Sequence, residues 1–199
     1  MLNSKEIKKI KKISGKARGV IFQTDIQYIE NKKGKKEANK IKKEIQKIIP
    51  EYNYSQIKTT DWYPLWWRII SLEVIKNQFG WGAKELVKMG HGAPGNSFLV
   101  RIILRYFISL QKTFKEGKKY WGKHYYPGKF ESIKFDNKNQ YVIFQIKNFQ
   151  GHPDLCLYFQ GYFKAIAELT LPGKTITIQE TKCLHKKNPY HEYKLSWKQ

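Results

Sequence analysis

The hydrophobic period of this chain changes once, and that change limits the folds open to it. Up to about residue 120 apolar side chains recur at threes and fours, and from residue 130 they alternate. Ala38, Ile41, Ile45, Ile48 and Ile49 mark a helix over 37–49, stopped by Pro50. Asp61-Trp62-Tyr63-Pro64 opens the next, with Leu65, Trp66, Ile69, Ile70, Leu72, Val74 and Ile75 on it and an end near Phe79-Gly80. A shorter helix is expected over 82–88, then a flexible glycine-rich connector over 90–95. The longest helix is predicted over roughly 98–120, capped by Asn96-Ser97. Strands follow over 130–135 and 141–149 about the turn Asp136-Asn137-Lys138-Asn139. His152-Pro153-Asp154 starts another helix, and strands over 174–183 and 190–197 end the pattern. The order predicts an α+β fold: N-terminal helices, then a β-β-α-β-β antiparallel sheet with helices packed on one face.

Composition fills in the class. With 199 residues, 41% hydrophobic and 15% aromatic, the chain can bury a sizeable core, so wholesale disorder is excluded. No run approaches ~18 consecutive apolar residues, so no membrane-spanning helix is expected. The basic N-terminus lacks the apolar stretch of a secretory leader, and a cytoplasmic location follows as the expectation. The net charge is +22, from 38 Lys+Arg against 16 Asp+Glu. Residues 1–50 carry fifteen of the basic and five of the acidic residues, +10 in a quarter of the chain. Between Lys5 and Arg18, Ile7, Ile10 and Ile13 recur at threes, which predicts a short basic amphipathic helix. Residues 1–18 therefore read as an arm on a single domain of residues 19–199. Lys8, Lys9, Lys11, Lys12, Lys16 and Arg18 are its candidate contacts to nucleic acid or to an anionic membrane surface. The competing reading is a solvated lysine-rich surface, and the scarcity of arginine, the better bidentate phosphate reader, favours it.

The two cysteines carry the most chemistry. Cys183 ends a predicted strand, Glu180 lies three residues before it, and His191 eight after it at the start of the next strand. Antiparallel neighbours bring 183 and 191 together across their loop, and the preceding helix can deliver Cys156 from its first turn. Two thiolates, an imidazole and a carboxylate suit a closed tetrahedral zinc site, structural because no position is left for a reacting water. Isolated cysteines also serve as small buried hydrophobes.

The stretch from His152-Pro153-Asp154-Leu155-Cys156 through Gly161, Gly173 and Thr175-Ile176-Thr177-Ile178-Gln179-Glu180-Thr181-Lys182-Cys183 to Tyr190-His191-Glu192-Tyr193 and Trp197 resembles the 4-vinyl reductase-type small-molecule-binding domain. That resemblance implies a structural zinc at Cys156, Glu180, Cys183 and His191, the last standing where the family has a third cysteine. Lys186-Lys187-Asn188-Pro189 replaces the family's usual glycine between the last two ligands. The order of elements is also similar to the heme–nitric-oxide-binding-like sensor domains, so His91, His124 and His152 are candidate heme ligands. None is read as lying mid-helix on an apolar face, and the sequence argues against heme.

The resemblance also implies a ligand cavity between the long helix and the sheet, with Tyr106, Phe107, Leu110, Trp121, Phe135 and Phe144 as candidate linings for a small hydrophobic or aromatic ligand. Aromatic stripes at helical spacing equally make core. Trp62, Tyr63, Trp66 and Trp67 form the densest aromatic cluster, a packing element or a dimer surface. No phosphate loop, nucleophile elbow or paired acidic motif occurs. The expectation is a sensor or regulatory binding domain without catalysis, signalling through a homodimer or a separate output protein.

Overall fold

The computed structural model describes residues 2–96 and 109–198. Among them, α1 (Ser4–Lys11), β1 (Lys16–Arg18), α2 (Gly19–Lys33), α3 (Lys35–Ile48), β2 (Trp62–Pro64), α4 (Leu65–Phe79) and α5 (Ala83–Asn96) come first. Then follow α6 (Leu110–His124), β3 (Tyr125–Tyr126), β4 (Lys129–Asp136), β5 (Tyr141–Lys147), α7 (Pro153–Thr170), β6 (Thr175–Lys182) and β7 (His191–Lys198). The α+β expectation holds: a four-stranded antiparallel sheet in the order β4-β5-β7-β6, with α6 against β4 and α7 against β6. A small second sheet, β2-β1-β3, joins residues near 17, 63 and 125.

Local chemistry accounts for most boundaries. Asn3 and Glu6 form a reciprocal capping box that starts α1. Gly80 ends α4 in the left-handed conformation, and His152 caps α7 just before Pro153 in its first turn. The sheet's inner face meets the helices through a cluster of rings. Phe144, fully buried, lies 4.9 Å from Phe114, 5.1 Å from Phe130, 4.7 Å from Phe163 and 5.4 Å from Tyr193 between centroids. Burying each such side chain contributes about 1.5–3 kcal/mol.

Three elements differ from the sequence-based expectation. Residues 19–33 form α2, a helix the periodicity does not announce. Residues 90–95 are helical, not a connector, and they continue α5. The reason is contact: a Cβ on Gly90 would lie 1.9 Å from the Tyr158 carbonyl oxygen, and one on Gly161 1.9 Å from that of Val87. These glycines let two helix backbones touch. Of the long helix predicted over roughly 98–120, α6 supplies the part from Leu110, with Ser109 as its cap. The earlier part lies outside the described residues.

The basic N-terminus is docked. Ile10 is buried in the core and α1 packs on α4, while Lys8, Lys9, Lys11, Lys12 and Lys16 are exposed. Arg18 is occupied structurally: its guanidinium stacks 4.1 Å from the Trp62 ring and donates to the carbonyls of Lys123 and Thr60. Trp62, Tyr63, Trp66 and Trp67 are half-buried, with Trp67 5.6 Å from Tyr63 and 6.1 Å from Trp66. Among the described residues no helix is long and apolar enough to cross a membrane.

Candidate functional site

Four chemistry-bearing residues converge where α7 meets the β6–β7 hairpin. Cys156 sits in the first turn of α7, Glu180 near the end of β6, Cys183 just past it, and His191 opens β7. The β6–β7 register shifts between Glu180 and Lys182, an irregularity of the kind that re-aims side chains. Cys156 Sγ lies 3.9 Å from Cys183 Sγ and 3.6 Å from His191 Nδ1, and His191 Nδ1 lies 3.0 Å from Glu180 Oε1. One ligand atom from each of the four falls within 4.8 Å of every other. His191 Nε2–H donates to the Phe149 carbonyl at 3.2 Å, which fixes the ring and turns Nδ1 toward the cluster. Burial, with Glu180 and Cys183 beside it, pushes the Cys156 thiol up. Burial works against ionisation of Glu180 too, but the hydrogen bond and charge of His191 bring it below its ordinary value. The buried Tyr193 hydroxyl has Cys156, Glu180 and Cys183 as neighbours, and burial raises it well above its ordinary value. A divalent ion with soft and borderline donors would replace the protons on both thiols and relieve this crowding of groups that cannot all ionise alone.

A second group, Glu73, His152 and Asp154, is also close enough to hold an ion. There the cation is already supplied: Lys76 Nζ lies 3.0 Å from Glu73 and 2.8 Å from Asp154.

Above the sheet, α2, α4, α5, α6 and α7 line a partly open cavity of about 120 Å³. Its walls include Val20, Ile21, Phe114, Trp121, Phe159 and Ile166, and its polar groups include Arg68, His124, Tyr120, Tyr125, Tyr158, Tyr162, Thr24 and Thr113. Arg68 is completely buried. Its Nε donates to Asp25 Oδ2 at 2.9 Å, its Nη2 to Asp25 Oδ1 at 3.3 Å, and its Nη1 to the Tyr125 hydroxyl. Tyr158 donates to Asp25 Oδ1 at 3.0 Å, so α2, α4, β3 and α7 meet in one polar knot beside the cavity. Burial, with the Asp25 charge, raises the Tyr158 hydroxyl well above its ordinary range. His124, in the last turn of α6, is pushed down by burial; its Nδ1–H donates to the Tyr120 carbonyl at 2.8 Å, leaving the lone pair on Nε2. Among the described residues the buried Trp121 Nε1–H meets no acceptor.

Of the pocket residues named from sequence, Trp121 is on the cavity wall. Leu110 and Phe144 are buried in the core, and Phe135 stacks on Trp197 at 5.6 Å, beside a shallow groove between α6 and β4. Tyr106 and Phe107 lie outside the described residues. Sequence reasoning missed Arg68, Asp25, Tyr125 and Tyr158. The one signal available was an arginine inside an otherwise apolar helix. Of the candidate heme ligands, His91 is bonded to Glu168 at the surface and His152 caps α7.

No family model matches the chain, and no curated protein matches it. Solved structures do. An H-NOX protein from S. oneidensis in its Fe(II)NO ligation state superposes with a TM-score of 0.69 at 10% identity, over 92% of this chain and 99% of that one. An oxygen-binding H-NOX domain related to soluble guanylate cyclases, in its oxygen complex, gives 0.67 at 10% identity, over 92% and 95%. A third, solved in work on modulating heme redox potential through protein-induced porphyrin distortion, gives 0.64 at 9% identity, over 92% and 99%.

These neighbours correct the cofactor expectation, which set heme aside and named zinc. By their own descriptions the first is in an Fe(II)NO state, the second binds oxygen and the third was solved in work on heme redox potential, and none points to zinc. The argument against heme required an imidazole held mid-helix on an apolar face. His124 meets the need differently, from a helix end, on the cavity wall and in the tautomer that leaves Nε2 available to a metal. The donor therefore fits a metal-bearing cofactor, on the wall of a cavity of about 120 Å³ that is open on one side. At about one-tenth identity the likeness is one of architecture, and the chain has the fold of H-NOX domains.

Proposed function

We propose that this chain is a ligand-binding sensor domain whose cavity takes a small planar aromatic molecule. The carrying observation is the cavity itself: about 120 Å³, walled by aromatic rings, with Arg68, Tyr125 and His124 at its polar side. An apolar void of about 150 Å³ suffices for a benzene-sized guest, so the volume selects one ring. Calorimetric titration with single-ring aromatics tests the reading: a saturable isotherm abolished by filling the cavity from its half-buried edge with Val20→Phe is expected. No heat with any ring compound overturns it.

Cys156, Glu180, Cys183 and His191 are proposed to hold one metal ion as a structural staple, the arrangement that the 4-vinyl reductase-type resemblance implies. What supports it is the spatial closeness of four donors from three elements. Elemental analysis of protein purified without an affinity tag reads both the amount and the identity of the ion.

The second reading is heme in the same cavity, favoured by His124 and by the fold neighbours. Bound there, heme would supply a redox-active iron that takes a diatomic gas. His124 would hold it through Nε2, oriented by the Tyr120 carbonyl, beside the aromatic walls. Hemin titration decides it: a Soret band lost in His124→Ala supports heme, and a spectrum of free hemin overturns it.

Output through a second copy or a separate protein remains part of the proposal. The nucleic-acid alternative keeps the exposed Lys8, Lys9, Lys11, Lys12 and Lys16 but not Arg18, which is committed to Trp62 and two carbonyls. Affinity falling steeply with salt and lost in a Lys8/Lys9/Lys11/Lys12→Gln variant would be its mark.

A further inference from the structure

We infer that the outer face of the small β2-β1-β3 sheet binds single-stranded nucleic acid, with Tyr126 and Trp62 as stacking surfaces for unpaired bases. The inference stands apart from the sensor reading. It rests on the nucleic-acid alternative and gives that alternative a binding face and a strand state.

Strand parity builds the face. On β1, Lys16 and Arg18 point to one side and Ala17, fully buried, to the other. Their register partners follow: Lys16 stands opposite Pro64 and Tyr126, and Arg18 opposite Trp62, whereas Ala17 stands opposite Tyr63 and Tyr125. Exposure agrees, because Tyr125 is buried and Tyr126 is 65% exposed. The outer face thus presents two cations and two rings side by side. Arg18 is a positioning residue there. Its bonds to the Lys123 and Thr60 carbonyls hold the guanidinium 4.1 Å from the Trp62 ring, which sets that ring's orientation. Exposed lysines surround the face: Lys12 precedes β1, Lys58 precedes β2, Lys123 precedes β3, and Lys129 opens β4 just after Tyr126. With Lys16 they outweigh Asp61, the exposed acid before Trp62.

The combination selects the partner. Lysines attract any polyanion, but rings set among them serve one whose bases are free to stack. In a duplex the bases stack on each other and offer no face to Tyr126. An anionic bilayer would also attract the lysines, yet its hold grows with the apolar area it buries. This face offers two cations, two rings with polar tips and a proline, which suits stacking better than insertion. From two strand spacings and an offset of two residues, the Cα atoms of Trp62 and Tyr126 are about 12 Å apart. One base cannot reach both rings, so each ring takes its own base along the strand.

The test uses the full chain at low salt with three probes: a labelled oligothymidine of about twelve nucleotides, its duplex with oligoadenine, and vesicles of phosphatidylserine and phosphatidylcholine. Fluorescence anisotropy reads the nucleic acids and cosedimentation reads the vesicles. The oligothymidine is expected to bind at least about tenfold tighter than the duplex, and more weakly as salt rises. Tyr126→Ala should weaken it by at least about fivefold, the loss of one stacked base, and Tyr126→Phe should keep it. Because Tyr126 is mostly exposed, Tm should stay unchanged in both. Lys16→Gln should lower the salt slope and leave the preference for single strands. The stacking face is overturned if Tyr126→Ala binds within twofold of the wild type, if Tyr126→Phe loses as much as Tyr126→Ala, or if the duplex binds as tightly. Each of those results leaves the lysine-based alternative standing. Vesicle binding without oligonucleotide binding overturns both in favour of a membrane surface, and failure of every probe overturns both outright.

Discussion

Replacing Gly161 by alanine should separate two helices that the fold requires to touch. A Cβ at this position would sit 1.9 Å from the Val87 carbonyl oxygen and 2.6 Å from the His91 nitrogen, both backbone atoms of α5. No rotamer change relieves a clash with backbone. To reach even 3.0 Å, the closest approach real Cβ atoms show, α7 must retreat from α5 by about 1.1 Å. A gap of that size forfeits a quarter to a half of the dispersion attraction across the contact. The interface contains the buried Leu86, Met89 and Ala93 of α5. Overpacking of this kind costs roughly 1–3 kcal/mol, and here it falls at the upper end because only whole-helix movement accommodates it. The gain in helix propensity from glycine to alanine offsets at most about 1 kcal/mol. A net loss of about 2 kcal/mol is expected, a fall in Tm of roughly 4–8 °C for a chain of this length. Gly122→Ala is the control: it lies on α6 with nothing within 4 Å of its would-be Cβ, so only the propensity gain applies. Thermal and urea unfolding followed by circular dichroism read both. If Gly161→Ala matches the wild type while Gly122→Ala gains stability, the close backbone crossing does not exist.

Three further outcomes are expected. Cys183→Ser should bring metal in untagged protein below about 0.2 ion per chain and lower Tm, whereas an unchanged metal content would remove Cys183 from the site. Asp25→Asn strands the fully buried Arg68 charge and should cost about 3–5 kcal/mol in urea unfolding; a loss under about 1 kcal/mol would mean that the pair is not buried in solution. Burial, together with the neighbouring Asp154, raises the Glu73 carboxyl from 4.5 to about 7. The folded state thus holds this proton more tightly than the unfolded chain, so its contribution to stability is greatest below pH 4.5 and is lost as pH rises through about 7. Glu73→Gln should flatten the fall in urea midpoint across that window, and a slope of opposite sign in the wild type would refute the assignment.

How far the sequence reveals this molecule depends on the distance over which each feature is encoded. The sheet is legible because alternation is local: Val142, Phe144 and Ile146 are all buried, and their partners Leu195, Tyr193 and His191 repeat the pattern. The four possible metal ligands are legible for the same reason, since one helix start and one hairpin bring 156, 180, 183 and 191 together. Helix α2 is hidden because buried polar residues interrupt its apolar stripe. Asp25 lies among Phe22, Ile26 and Ile29 on account of Arg68, 43 residues away, and no local window contains that partner. Glycine is ambiguous in principle, serving both as hinge and as contact, and only the position of α7 decides that residues 90–95 are the latter.

The cavity is the least legible feature, and the physics says why. Phe114 and Phe144 obey their periodicities equally well, lie 4.9 Å apart and are both buried, yet Phe114 faces the void and Phe144 is sandwiched among rings. What separates wall from core is whether the opposite side is filled, and for Phe114 that side belongs to residues from Val20 to Ile166. A void is a property of all its walls at once, so no single spacing records it. The polar knot does leave a trace: an arginine in the apolar run Leu65–Ile75 must find a carboxylate or destabilise the fold by several kcal/mol. Finding Arg68 in such a helix therefore obliges a buried acid elsewhere in the chain. Asp25, the acid flanked by Phe22, Ile26 and Ile29, is the one that answers it.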